Sequence, residues 1–425
     1  MSALILAVSG APSREAGGLP LRRLVGPGLL VAVGYVDPGN WATDIAGGSA
    51  FGYQLLGVVI LASLIAMVFQ TLVARVVLAT GEDLATLSAR HMPRPVAKAA
   101  WLAGEAAILA TAFAELVGGA IALQLLFGLA LPVGIVVTGV ATAAFLALSG
   151  LRKGAHEQVV NILIGVVALA FIVLLVQIGP DWGAAAQGVA DTGKALSERA
   201  GLVLALGILG ATLMPHNLYL HSGMLAERMR DIRNADKAIA YRIARNDTVV
   251  SLGLAMFVNA AIMIVAAASL SASGVQVSSV EGAHDAMRDV LGVGAAILFA
   301  IALYAAGQSS AITGVMAGRV ISRGFAQGGA ARSRFERWRG VVTRIVVALA
   351  ALGIMAISGK TDADSLLVGS QVVLGIALPF ALVPLVIIAS RRSIMGDRVI
   401  SMRARIAMGG ITAAIIALNV GSILA

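Results

Sequence analysis

Apolar residues fill this chain in long blocks, with polar and basic residues gathered in the short stretches between them. A hydrocarbon core offers no water to the backbone, which a helix satisfies internally, and about 20 apolar residues of helix cross its ~30 Å, whereas a membrane strand alternates with a period of two. The blocks therefore predict an all-α membrane protein and not a β-barrel. Eleven spans are expected, at 27–47, 54–79, 96–127, 131–149, 157–179, 200–224, 245–270, 291–317, 341–358, 365–389 and 402–424. Between the second and third, Gly81 to Met92 sets Glu82, Asp83, Arg90 and His91 among Leu84 and Leu87, and reads as a short amphipathic segment at the cytoplasmic surface. The connections are too short for a separate soluble domain.

Composition agrees: 59% of the 425 residues are hydrophobic and 12% are charged. The absence of cysteine excludes disulfides and thiolate metal sites. A net charge of +9 raises the question of a nucleic-acid partner, and its distribution answers it. Arg14, Arg22 and Arg23 precede the first span, and basic residues recur after every even-numbered one, from Arg90, Arg94 and Lys98 through Arg152 and Lys153 to Arg391, Arg392, Arg398, Arg403 and Arg405. The opposite side carries only Lys194, Arg199, Arg288 and Lys360. By the positive-inside rule this is a topology signal: a multi-pass protein of the inner (plasma) membrane, its N-terminus (1–26) cytoplasmic and its C-terminus outside. Residues 1–12 hold a short apolar run with no basic stretch before it, so a cleaved signal peptide is not expected.

Two spans are interrupted by the same tetrad. Span 1 contains Asp37-Pro38-Gly39-Asn40 and span 6 contains Met214-Pro215-His216-Asn217, both X-Pro-X-Asn. Five spans separate the two helices' starts, and an odd repeat length gives the second unit opposite polarity. The expected organisation is thus two inverted five-helix repeats, 27–179 and 200–389, plus an eleventh helix at 402–424. Proline removes a donor and clashes with the preceding turn, and Gly34, Gly39 and Gly210 ease an extended path, so both helices should unwind there and free carbonyls. Asp37 argues against a mere kink, since a carboxylate at a helix centre costs ~2.5–3.5 kcal/mol on insertion scales. Asp37 offers an anionic oxygen, Asn40 an amide oxygen and Met214 a thioether, with carbonyls near Gly34 and Ala211 to complete a shell. That mixed set suits softer divalent ions such as Mn²⁺, Fe²⁺, Co²⁺ or Cd²⁺ over Mg²⁺ and Ca²⁺.

These residues carry a resemblance. Gly34 to Asn40 with Phe51-Gly52-Tyr53-Gln54, Ala211 to Ser222, Arg94-Pro95, Glu115, Gln308-Ser309-Ser310 and Ser370-Gln371 together resemble the Nramp family of divalent metal transporters, over almost the whole chain. The resemblance implies a LeuT-like fold, metal/proton symport by a monomer without a resident cofactor, and a metal site of Asp37, Asn40, Met214 and the carbonyls of Gly34 and Ala211, joined by Gln371 in some conformations. Mn²⁺ or Fe²⁺ would be the cargo. Retention of Met214 argues against the magnesium-transporting relatives. One departure stands out: where the family commonly has an aspartate three residues before the glutamate, this chain has Ala112, which leaves proton coupling open.

Among the other polar residues, His216 within the second break is the candidate proton acceptor, with Asp37, Glu115 and Arg344 as further members of a proton path. Arg344 could instead snorkel to the interface. Glu105, ten residues from Glu115, is equally well read as half of a structural pair, and His221 as structural. Asp44 could border an outer vestibule and Asp247 an inner one. Gln371 is expected close after a flexible turn containing Gly369. An organic-solute symporter of the same fold would want backbone facing a carboxylate in place of Asp37 and Met214. An intramembrane enzyme would need a nucleophile or dyad, and neither HExxH nor GxSxG occurs. A channel would need repeated polar rings.

Overall fold

The computed structural model describes residues 24–149, 155–230, 237–273, 279–326, 332–358 and 363–424. Most of the N-terminal segment, including residues 1–12, Arg14, Arg22 and Arg23, and also Arg152, Lys153 and Lys360, lie outside the described residues. Every described regular element is helical, and each of the eleven expected spans falls on helix. In chain order these are α1 (Pro27–Gly34), α2 (Pro38–Phe51), α3 (Leu56–Thr80), α4 (Leu84–His91), α5 (Arg94–Phe127), α6 (Leu131–Ser149), α7 (Ala155–Ile178), α8 (Trp182–Ala190), α9 (Thr192–Ser197), α10 (Arg199–Thr212), α11 (Pro215–Arg230), α12 (Lys237–Ser273), α13 (Val280–Leu291), α14 (Val293–Ala326), α15 (Arg332–Ser358), α16 (Ala363–Ala377), α17 (Pro379–Ser390), α18 (Arg392–Met395) and α19 (Met402–Leu424).

Among the described residues, eight helical stretches are individually long and apolar enough to cross a membrane; the expected spans at 27–47, 131–149 and 341–358 are helical without meeting that measure alone. Span 1 misses it because it is two short helices. The outer faces are apolar, with Val176 78% and Ile162 65% exposed, as lipid contact requires. The short amphipathic segment forms the helix α4: Asp83 caps it, its Oδ1 accepting from the Thr86 N–H at 2.9 Å, and Leu84 and Leu87 are buried.

The broken helices lie at the centre. Trp41 of α2 is fully buried, edge-on to Phe171 of α7 and Phe299 of α14 at 5.0 and 5.1 Å. Pro38 is gripped between α5 and α14: a methyl on Gly118 would come within 2.2 Å of its Cβ, and Gly307 approaches from the other side. The turn expected at Gly369 is absent. That glycine lies inside α16, and the regular helix is interrupted at Leu378 instead, before Pro379. Glycine is tolerated in a helix, whereas proline deprives the carbonyl four residues earlier of its donor. That carbonyl, of Gly375, takes the Asn419 amide of α19 at 2.8 Å.

Candidate functional site

The same arithmetic explains the two breaks. Pro38 and Pro215 lack the N–H groups that the carbonyls of Gly34 and Ala211, each four residues earlier, would accept. Between α1 and α2 the chain passes through Tyr35, Val36 and Asp37, and Asp37 then caps α2, its Oδ1 accepting from the Asn40 N–H at 2.8 Å. The Tyr35 carbonyl accepts from both Asn40 Nδ2 at 2.9 Å and Asn259 Nδ2 of α12 at 2.8 Å. Between α10 and α11, Leu213 and Met214 leave the helix, and the Asn217 N–H turns back to the Met214 carbonyl at 3.2 Å.

The two breaks touch. The Asn217 side chain from the second lies against Gly34 of the first, so close that a methyl there would meet its Nδ2 at 2.5 Å and its Oδ1 at 2.7 Å, and its Nδ2 also donates to Met214 Sδ at 3.6 Å. Gln371 of α16 presses on Gly39 in the same way, and its backbone carbonyl lies against Gly210. Asp37, Asn40, Ala211, Met214, Asn217 and Gln371 are each at most 2% exposed. Four of their oxygens, Asp37 Oδ2, Asn40 Oδ1, Asn217 Oδ1 and Gln371 Oε1, are buried and receive no hydrogen bond. Buried acceptors without donors are costly, and a cation is the partner that such a set lacks. Met214 also packs on Ala107, Ala110, Leu374 and Ala377, the setting of an ordinary core methionine; the Asn217 contact at its sulfur is what sets it apart. The crevice beside it, bounded by Tyr35, Phe69, Leu213 and Leu378, is too narrow for water.

The proton-path candidates form a second cluster. Glu115 and Arg344 are paired, Oε2 to Nη2 at 2.5 Å, with Ser310 Oγ donating to Glu115 Oε1 at 2.9 Å. Arg344 is 3% exposed and donates to the carbonyls of Ala112 and Ala311, so it does not snorkel. A cavity of about 20 Å³ adjoins this pair and is lined by Ala112 and Arg339, room for about one water. Thr111, one turn before Glu115 on α5, has its Oγ1 3.5 Å from His216 Nδ1. Glu105 pairs with Arg339 and accepts from Trp101 Nε1 at 3.1 Å, the structural-pair arrangement. His221 bonds Gln70 at 2.8 Å, which in turn donates to the Tyr35 hydroxyl at 2.9 Å. Asp44 is fully buried, not at a vestibule surface. Asp247 caps α1, accepting from the N–H groups of Gly26 at 3.0 Å and Gly28 at 2.7 Å. Sequence reasoning passed over Asn217, although the shared tetrad marks it as the partner of Asn40, and over Asn259, an isolated amide in an apolar span.

A family model described as natural resistance-associated macrophage protein-like, Nramp, matches residues 28–425. The chain belongs to the Nramp family. It is 45% identical over 398 residues to the divalent metal cation transporter MntH 1 of Pseudomonas aeruginosa, covering 92% of this chain and 89% of that one, and 43% identical to the MntH of Brucella suis, covering 88% and 81%. A manganese transporter of Eremococcus coleocola, solved with an aromatic bis-isothiourea compound, superposes with a TM-score of 0.84 at 34% identity, covering 98% of this chain and 89% of that one. Mhp1, a nucleobase-cation-symport-1 transporter, shares the fold at a TM-score of 0.60 and 19% identity, and MhsT at 0.57 and 18%. The Nramp chain is thus a LeuT-like, all-α, multi-pass protein of the plasma membrane.

Proposed function

We propose that this Nramp chain imports divalent transition-metal ions, Mn²⁺ or Fe²⁺ with Cd²⁺ and Co²⁺ as further substrates, by alternating access and together with protons. The observation that carries this is the set of donor-free buried oxygens beside a thioether where two broken helices touch. Asp37 supplies the charge that draws in a cation. Asn40, the Gly34 and Ala211 carbonyls and, in some states, Gln371 replace its water, and Met214 disfavours Mg²⁺ and Ca²⁺. The ion is cargo; the chain carries out no bond chemistry, needs no resident cofactor and works as a monomer.

The eleven spans form two inverted repeats, 27–179 and 200–389, followed by 402–424. The positive-inside pattern sets the orientation, and connections that it assigns to one side do meet: Arg228 donates to the Val25 carbonyl at 2.8 Å and Arg391 to the His91 carbonyl at 3.3 Å. The N-terminus is then inside and the C-terminus outside. Protons leave the site through His216 and Thr111 to Glu115 and Arg344, and a water in the adjoining cavity serves where Ala112 offers no carboxylate.

Uptake into proteoliposomes containing a pH-sensitive dye tests the reading. Mn²⁺ should enter and acidify the lumen, and a hundredfold excess of Mg²⁺ should leave uptake unchanged. Mg²⁺ entering as readily as Mn²⁺ overturns the cargo assignment, and Mn²⁺ entry without acidification overturns the coupling.

A further inference from the structure

The second tetrad contributes more than its methionine. Asn217 is fully buried, its Oδ1 receives no hydrogen bond, and its amide group lies against the Cα of Gly34 in the first break. Its other amide atom, Nδ2, is already committed to Met214 Sδ. Both amide atoms thus face the first break, where a methyl on Gly34 would meet Nδ2 at 2.5 Å and Oδ1 at 2.7 Å, and Oδ1 is the one left without a partner. Asn40 holds the equivalent place in the first tetrad with the same division of labour, Nδ2 on the Tyr35 carbonyl and Oδ1 without a donor.

We infer that Asn217 Oδ1 is a further ligand of the transported ion, the counterpart of Asn40 across the junction of the two breaks. The inference rests on the proposed metal transport. Asp37, Asn40, Met214 and the two carbonyls supply five positions, and Mn²⁺ prefers six, mostly oxygen. Asn217 fills the sixth when Gln371 does not. It adds a hard, neutral oxygen, and so favours Mn²⁺ over softer Cd²⁺ without adding charge.

This role and a purely positioning role on the thioether differ in sign. Removing a hard oxygen weakens Mn²⁺ more than Cd²⁺; misplacing a sulfur weakens Cd²⁺ more than Mn²⁺. Binding of Mn²⁺ and of Cd²⁺ to purified protein should be measured by calorimetry for the wild type, Asn217→Ala and Asn217→Asp. The alanine variant should lose about tenfold in Mn²⁺ affinity, as for one charge-assisted contact, and less than threefold in Cd²⁺ affinity. The aspartate variant keeps an oxygen and the side chain's size but has no N–H for the sulfur, and should bind Mn²⁺ at least as tightly as wild type. It also decides the matter if the alanine variant does not fold. Equal losses for both ions, a larger loss for Cd²⁺, or no change overturns the assignment of Asn217 while leaving metal transport standing. A wild-type protein that binds neither ion overturns both.

Discussion

Asp247, about three turns into α12, joins that helix to the start of α1 through two backbone N–H groups, and the broken-helix account makes that contact a latch. A carboxylate at a helix N-terminus also meets the positive end of the helix dipole. Each hydrogen bond to a charged acceptor contributes about 1.5–3 kcal/mol net, so the pair favours the docked position of α1 by about 3–6 kcal/mol. Asp247→Asn retains one acceptor and loses the charge, a change of about 2 kcal/mol, which raises the undocked population roughly thirtyfold. Asp247→Ala loses both bonds and should exceed a hundredfold. The chain has no cysteine, so a thiol introduced at the buried Ala32 of α1 reports undocking against a silent background. Maleimide labelling of Ala32→Cys in nanodiscs should accelerate in that order, Ala above Asn above wild type, while a control thiol at Ala120, buried in α5, keeps its rate. Unchanged labelling at position 32, or an equal rise at position 120, would refute the latch, the second outcome pointing to general loosening.

Further expectations concern the ligands and the buried ion pair. Met214→Ala should weaken competition by Cd²⁺ and Mn²⁺ while improving relative access for Mg²⁺ or Ca²⁺ in uptake assays; unaltered selectivity removes the thioether from the site. Breaking the Glu115–Arg344 pair by Glu115→Ala should cost about 3–5 kcal/mol, seen as a lower midpoint of thermal unfolding in detergent, because it strands a buried guanidinium. The double variant with Arg344→Ala should be less unstable than the sum of the single changes, and strict additivity would contradict the pairing. His216→Ala should flatten the pH dependence of uptake more than it weakens metal affinity, and a retained pH profile would exclude His216 from the proton path.

The spans and both breaks were legible in the sequence because each follows from local rules: the length of an uncharged run, and proline's missing donor at a fixed offset. Long-range pairing was not. Arg344 alone reads equally as a snorkelling arginine, and only the folding of α15 beside α5 shows that Glu115 neutralises it. Asp247 was read as a vestibule residue because nothing in its own helix reveals that the first turn of α1 ends at its carboxylate. The expected turn at Gly369 failed for a local reason, a glycine weighed above the proline at 379. The approach of Gln371 depends on Gly39 having no Cβ, a requirement that belongs to the packing of two distant helices and leaves no mark in either segment.

Diffraction from Mn²⁺-soaked crystals, with anomalous data collected at the manganese edge, addresses the central claim most directly. One dominant peak should lie between the two breaks, bonded to both the Asp37 carboxylate and the Met214 sulfur. A peak touching only one of them, or saturating Mn²⁺ with density elsewhere in the bilayer-spanning region, would contradict it.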